Sequence, residues 1–341
     1  MDQALPIAIT EGTLGGASSS RTESLALAEN LIRSGADPEQ VLQAARIFAL
    51  EEHKDRAIET LRQGILAHTR HAGLLTLLGD LLSRTGAFEE ADLYFRQAIE
   101  SAPGDLDARF RQGLHHARQG QWGPARLSYE EVVRLDPKHV RGWVNLGLTR
   151  AELGERSEAT AALARAVALD PACAEAHSNL GVLYAESGLR AEAVEEFRRA
   201  VALNPDSSEA HFNLGWALLA EDQVDQAEAM LLASVKLDPA NAESLYALAL
   251  LHLKVGSNAR AVAELKQAIE IRPNDARLHY HLGVAYNNQD AVDQAILALD
   301  AAARLNPEDP RVHRLLGVAY DKKELPAKAR EAYRRAAALH G

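Results

Sequence analysis

The sequence predicts an all-α fold, an α-solenoid of stacked helix–turn–helix units, and three observations carry that expectation. The first is a period: AEAHSNLGVLYAESGLRAEAVEEFRRAVALNP at 174–205 is echoed at 211–239 by HFNLGWALLAEDQVDQAEAMLLASVKLDP. GWVNLGLTRAELGERSEATAALARAVALDP, at 142–171, precedes it. The second is punctuation, with glycine closing a first apolar segment and proline closing a second. The third is composition. Apolar residues make up 47% of the 341, yet aromatics only 5%. Alanine and leucine therefore carry the core, as close helix packing requires.

Residues 1–20 (MDQALPIAITEGTLGGASSS) turn rich in glycine and serine and are expected to form a flexible tail. The stretch RTESLALAENLIRSG (21–35) reads as one amphipathic helix with Thr22 as N-cap. Residues 38–71 resemble a worn copy of the units beyond residue 71. Ala57 and Leu61 keep the helix-packing slots, while Ala44–Ala45 replace a Leu-Gly pair and Thr69 replaces proline. Residues 21–71 are thus expected to cap the array.

From Ala72 the chain divides into eight units of 34 residues, beginning at 72, 106, 140, 174, 208, 242, 276 and 310. Each first segment carries Leu-Gly or a close variant, as at Leu146–Gly147, Leu180–Gly181 and Leu214–Gly215. It closes at Gly86, Gly120, Gly154, Gly188 or Gly256; Asp222, Asp290 and Glu324 stand in that slot elsewhere and predict turns that are looser or of another geometry. Each second segment carries alanine (Ala91, Ala125, Ala159, Ala193, Ala227, Ala261, Ala295, Ala329). Four residues on comes a large apolar residue, from Phe95 and Tyr129 to Leu299 and Tyr333, which shares the alanine's helix face. Proline ends the first seven units. In the last unit the charged Arg330–Glu331 replace Ile296–Leu297 of the unit before.

This pattern resembles the tetratricopeptide repeat, and the resemblance covers 270 of 341 residues. It implies a right-handed superhelix whose first helices line a concave groove. It also implies that positions 2, 5, 6, 9, 12 and 13 of each unit face that groove. Position 6 is Asn145, Asn179 and Asn213 in three successive units, with Arg111 before them. The series is similar to the asparagine ladder of O-linked N-acetylglucosamine transferases, whose amides hold a peptide backbone. Repeat duplication is the competing explanation. Beside the asparagines stand Phe212, Trp216, Tyr246 and Tyr280, with Arg111, Arg118 and Arg141 to one side. Arg277, Arg311, Arg314 and Lys322 lie to the other, and Glu175, Glu209 and Glu243 between. The carboxylate clamp of chaperone-binding members needs lysine at position 5 and asparagine at position 9; neither occurs here.

The residues point away from other classes. A net charge of −11 disfavours a nucleic-acid binder, which needs a basic face. The single cysteine, Cys173, excludes an intramolecular disulfide and a cysteine metal cluster. The histidines at position 4, His177, His211, His279 and His313, lie a repeat or more apart and read as structural. His115 and His116 are adjacent and expected to diverge on their helix. GTLGG at 12–16 lacks the Lys-Ser/Thr of a phosphate loop. No metal, cofactor or catalytic residue is expected.

No apolar run approaches the ~20 residues that cross a bilayer, and the first residues lack a basic signal region. The expectation is a cytoplasmic, non-enzymatic adaptor that binds an extended peptide segment of a partner protein. Two alternatives stand beside it. One is a structural scaffold that forms a homo-oligomer through its ends. The other is a substrate-delivery subunit of a separate enzyme such as a glycosyltransferase.

Overall fold

The computed structural model describes residues 21–33 and 37–339. The tail expected at 1–20 lies outside the described residues. Every regular element among them is a helix. The array opens with α1 (Arg21–Arg33), α2 (Pro38–Leu50), α3 (Lys54–Ala67), α4 (Ala72–Arg84), α5 (Phe88–Ser101) and α6 (Leu106–Arg118). It continues with α7 (Trp122–Leu135), α8 (Val140–Glu152), α9 (Arg156–Leu169), α10 (Ala174–Glu186), α11 (Arg190–Leu203), α12 (Ser208–Ala220) and α13 (Val224–Leu237). Last come α14 (Ala242–Lys254), α15 (Asn258–Ile271), α16 (Ala276–Asn288), α17 (Val292–Leu305), α18 (Pro310–Lys322) and α19 (Pro326–Ala338). The chain forms two units, divided between Leu183 and Tyr184. Each is described by itself.

Each even-numbered helix from α4 onward begins on the first residue of a 34-residue unit. The residue before it explains why. Asp105, Ser207, Asn241, Asp275 and Asp309 accept backbone N–H bonds from the first turn through their side chains. His71 and His139 do the same through Nδ1. Such a cap is worth roughly 1 kcal/mol. Position 4 then ties the helix to the preceding proline: Trp143 Nε1 donates to the Pro137 carbonyl at 3.0 Å, His279 Nε2 to Pro273 at 2.8 Å and His313 Nε2 to Pro307 at 2.8 Å. His177 Nε2 stands 3.1 Å from the Pro171 carbonyl. These imidazoles hold junctions together.

The turns inside the repeats are uniform. Asp222, Asp290 and Glu324 adopt φ of 63°, 55° and 58°, inside the left-handed region that Gly120 and Gly154 occupy at 68° and 77°. Neither the looser turn nor the other geometry expected at these three positions is found. The same bond closes both kinds: Glu155 N–H to Arg150 O, and Gln223 N–H to Leu218 O, each at 2.9 Å. A side chain in this conformation costs about 1–2 kcal/mol. At two of these turns an ion pair to the next repeat accompanies it, Lys254 to Asp222 at 2.5 Å and Lys322 to Asp290 at 2.7 Å.

The core lies between the two helices of each repeat. All eight alanines of the second helices are buried, as are Phe95, Tyr129, Leu163, Phe197, Leu231, Leu265 and Leu299. The Leu-Gly glycine is the socket for that large residue. A Cβ on Gly113 would sit 2.5 Å from the Tyr129 ring, and one on Gly283 would sit 2.5 Å from Leu299 Cγ. Tyr333, in the final repeat, is 36% exposed. Within each unit a first helix also touches the first helix of the next repeat: α4 meets α6, and α12, α14, α16 and α18 follow in series. Among the described residues the second helices of each unit make no comparable contact, so the first helices hold the tighter side.

Candidate functional site

On the first helices of residues 184–341, position 5 and position 2 of the next repeat form a recurring pair. The Arg277 guanidinium lies over the Tyr246 ring, 5.2 Å from its centroid, and Arg311 lies over Tyr280 at 5.3 Å. The second unit's rule holds in the first as well: Arg141 covers Phe110 at 4.9 Å. A guanidinium over a ring face is held by the ring quadrupole and removes that face from solvent. Each arginine of the second unit is also anchored. Arg277 meets Asp275 at 2.6 Å and Glu243 at 3.0 Å, and Arg311 meets Asp309 at 2.7 Å. Carboxylate bonds raise both arginines above their ordinary range.

Phe212 breaks the rule. Its partner slot holds Glu243, which draws Arg272 at 2.5 Å and Arg277 at 3.0 Å instead. Among the described residues no cation stacks on Phe212. It stacks with Trp216 one turn on, the ring centroids 6.2 Å apart, and both residues are only half-buried. Tyr246 is 7% exposed. Its hydroxyl lies 3.3 Å from His281 Nδ1, and burial pushes its pKa up to about 12. Tyr280 and Tyr246 both meet the His281 ring edge-on, at 4.9 and 5.3 Å. Burial lowers the pKa of that imidazole.

The asparagines are not surface groups here. Asn145, Asn179 and Asn213 are 1%, 6% and 2% exposed. Asn145 Nδ2 donates to the Arg141 carbonyl one turn back at 2.9 Å. Helical spacing sets direction, but depth depends on the neighbouring repeats, and here they bury position 6.

In the first unit the expected arginine group exists but turns inward. Arg84 at 3.1 Å, Arg111 at 2.8 Å and Arg118 at 3.4 Å converge on the buried Asp80 carboxylate. Arg111 also bonds Asp107 at 2.9 Å. Arg141 is held over Phe110. Asp80, the hub, escaped sequence reading. Its signal was an acid at position 9, where the other units carry apolar residues.

A scan against protein-family models places the repeats. Two models described as tetratricopeptide repeat match the chain, one at residues 184–251 and 252–319, the other at 42–105, 76–140, 110–171 and 144–208. The chain belongs to the tetratricopeptide repeat family. No curated protein sequence matches it. Among solved structures it is similar to the hetero-tetramer Cut9–Hcn1 of the APC/C. That match has a TM-score of 0.56 and 19% identity, and covers 94% of this chain and 64% of that one. It is also similar to MamA (residue 41 to the end) from Desulfovibrio magneticus RS-1, at TM-score 0.47 and 24% identity over 49% of this chain and 94% of that one. YrrB, described as a TPR protein with an unusual peptide-binding site, matches at TM-score 0.48 and 21% identity over 54% and 95%.

Tetratricopeptide repeat proteins are generally non-catalytic scaffolds for protein partners. In this member no helix of the described residues is long and apolar enough to cross a membrane. Its tetratricopeptide first helices bring Phe212, Trp216, Tyr246, Tyr280, Arg277 and Arg311 along one side of residues 184–341. They leave Phe212 and Trp216 as the pair without an arginine cover.

Proposed function

We propose that the chain is a non-catalytic adaptor that binds an extended segment of a partner protein along its first helices, with Phe212 and Trp216 as the anchor. The observation that carries this reading is the half-buried, stacked Phe212–Trp216 pair standing where the arginine cover is missing. Aromatic side chains bury large area at small entropic cost and dominate binding energy where they do so. Tyr280 under Arg311, and Arg277 beside Glu243, extend the surface with both charges and an apolar edge. In the first unit Arg141 over Phe110 would offer the corresponding charge, whereas Arg111 is engaged by Asp80 and Asp107. The buried Asn145, Asn179 and Asn213 would present no amide to the segment.

The test uses linear peptides selected by display against the full chain. Replacing both anchors, Phe212→Ala with Trp216→Ala, is expected to weaken the selected peptides at least tenfold while the melting temperature stays within a few degrees. Undiminished binding would overturn the anchor. The triple alanine variant at 145, 179 and 213 is expected to bind the same peptides when its fold is intact. A large loss would return those amides to the ligand contact.

A further inference from the structure

Between α5 and α6, Asp92, His115 and His116 bring one ligand-type atom each to within 4.8 Å of one another. The adjacent histidines were expected to diverge. Instead their ring centroids are 5.3 Å apart, and His115 Nε2 lies 3.7 Å from Asp92 Oδ1.

A directed chain of hydrogen bonds sets both imidazoles. His116 Nδ1 lies 3.0 Å from Gln121 Oε1, which only accepts, so Nδ1 carries the proton and Nε2 the lone pair. Gln121 Nε2 donates to Gln119 Oε1 at 3.3 Å. Gln119 is thereby oriented with its Nε2 at 2.9 Å from His115 Nε2. His115 Nε2 accepts that bond, and its Nδ1–H points at Ser83 Oγ, 3.0 Å away. A histidine whose far nitrogen donates to a fixed oxygen is oriented as metal-binding histidines are. The ring cannot turn away. It is 1% exposed and packs against Phe95 at 5.3 Å and Phe88 at 6.0 Å.

Asp92 faces this nitrogen as an acceptor facing an acceptor. Among the described residues the Gln119 amide reaches only the His115 side of this pair, and a cation would satisfy both acceptors with greater charge. Two imidazoles and one carboxylate suit a divalent first-row transition ion and are a poor set for calcium or magnesium.

We propose that Asp92, His115 and His116 form a site for a zinc-class divalent transition metal, with Gln119 swinging aside on binding and Ser83 positioning His115. The site shares no residue with the Phe212–Trp216 surface and does not depend on that reading.

The experiment titrates zinc chloride into the full, tag-free chain after treatment with a chelator. It is repeated with Asp92→Asn and His116→Ala, whose side chains are partly exposed. The expected result is one saturable zinc per chain, weakened at least tenfold in each variant. Zinc is expected to raise the melting temperature of the wild type but of neither variant, and far-UV circular dichroism in chelator reports that each still folds. Cobalt(II) should show d–d absorption in the wild type alone. Absence of saturable binding, or equal zinc binding by both variants, would overturn the site.

Discussion

At the scale of single residues, one slot decides whether an aromatic ring carries an arginine cover. Arg141, Arg277 and Arg311 cover Phe110, Tyr246 and Tyr280, whereas Glu243 leaves Phe212 to stack with Trp216. Glu243→Arg should therefore place a guanidinium on Phe212 and weaken selected peptides several-fold, read by titration calorimetry. Unchanged affinity would show that Phe212 is not contacted. The buried His281 gives a second residue-scale prediction. It lies among Tyr246, Tyr280, Arg277, Arg311 and Asp275, and burial lowers its folded pKa below the ordinary value of about 6.5. The unfolded chain then binds the proton first on acidification. This contribution to stability is complete above pH ~6.5 and declines as pH falls below it. Urea unfolding at pH 7 and pH 5 should show a smaller loss in His281→Gln than in wild type.

At the scale of elements, the repeat's two special positions can each be tested by one substitution. Gly113 faces the buried Tyr129 ring, whose atoms would stand 2.5 to 2.9 Å from an added Cβ. Gly113→Ala should destabilise by about 1–3 kcal/mol despite alanine's better helix propensity, because the ring has nowhere to retreat. Glu324 holds φ 58°. Glu324→Gly should stabilise by about 1 kcal/mol, in the opposite direction to most glycine substitutions. Chemical denaturation measures both.

Element starts were legible in the sequence because proline, a capping residue and the Leu-Gly pair recur in phase. The left-handed turns at Asp222, Asp290 and Glu324 were not, because composition there argued against a conformation that hydrogen bonding across the turn imposes. Site legibility stopped at direction. Position 6 did identify Asn145, Asn179 and Asn213 as one series, but not their depth. The arginine covers went unread because they pair residues 31 positions apart across two repeats. His115 and His116 were misjudged from backbone divergence, since long side chains can converge after their Cβ atoms part.

At the scale of the whole molecule, helices within each unit meet near neighbours in the chain among the described residues. Stability in such arrays is a sum over repeats and their interfaces, so unfolding need not be all-or-none. Urea unfolding followed by far-UV circular dichroism and by the fluorescence of Trp122, Trp143 and Trp216 should give transitions that do not coincide. A single sharp transition by both would contradict that picture. The most direct measurement of the proposed activity places a photo-reactive amino acid at Ala220, on α12 one turn beyond Trp216, and separately at the exposed Leu232 on α13. With a display-selected linear peptide bound, the account predicts crosslinking from 220 and little from 232. Crosslinking from 232 with none from 220 would contradict it.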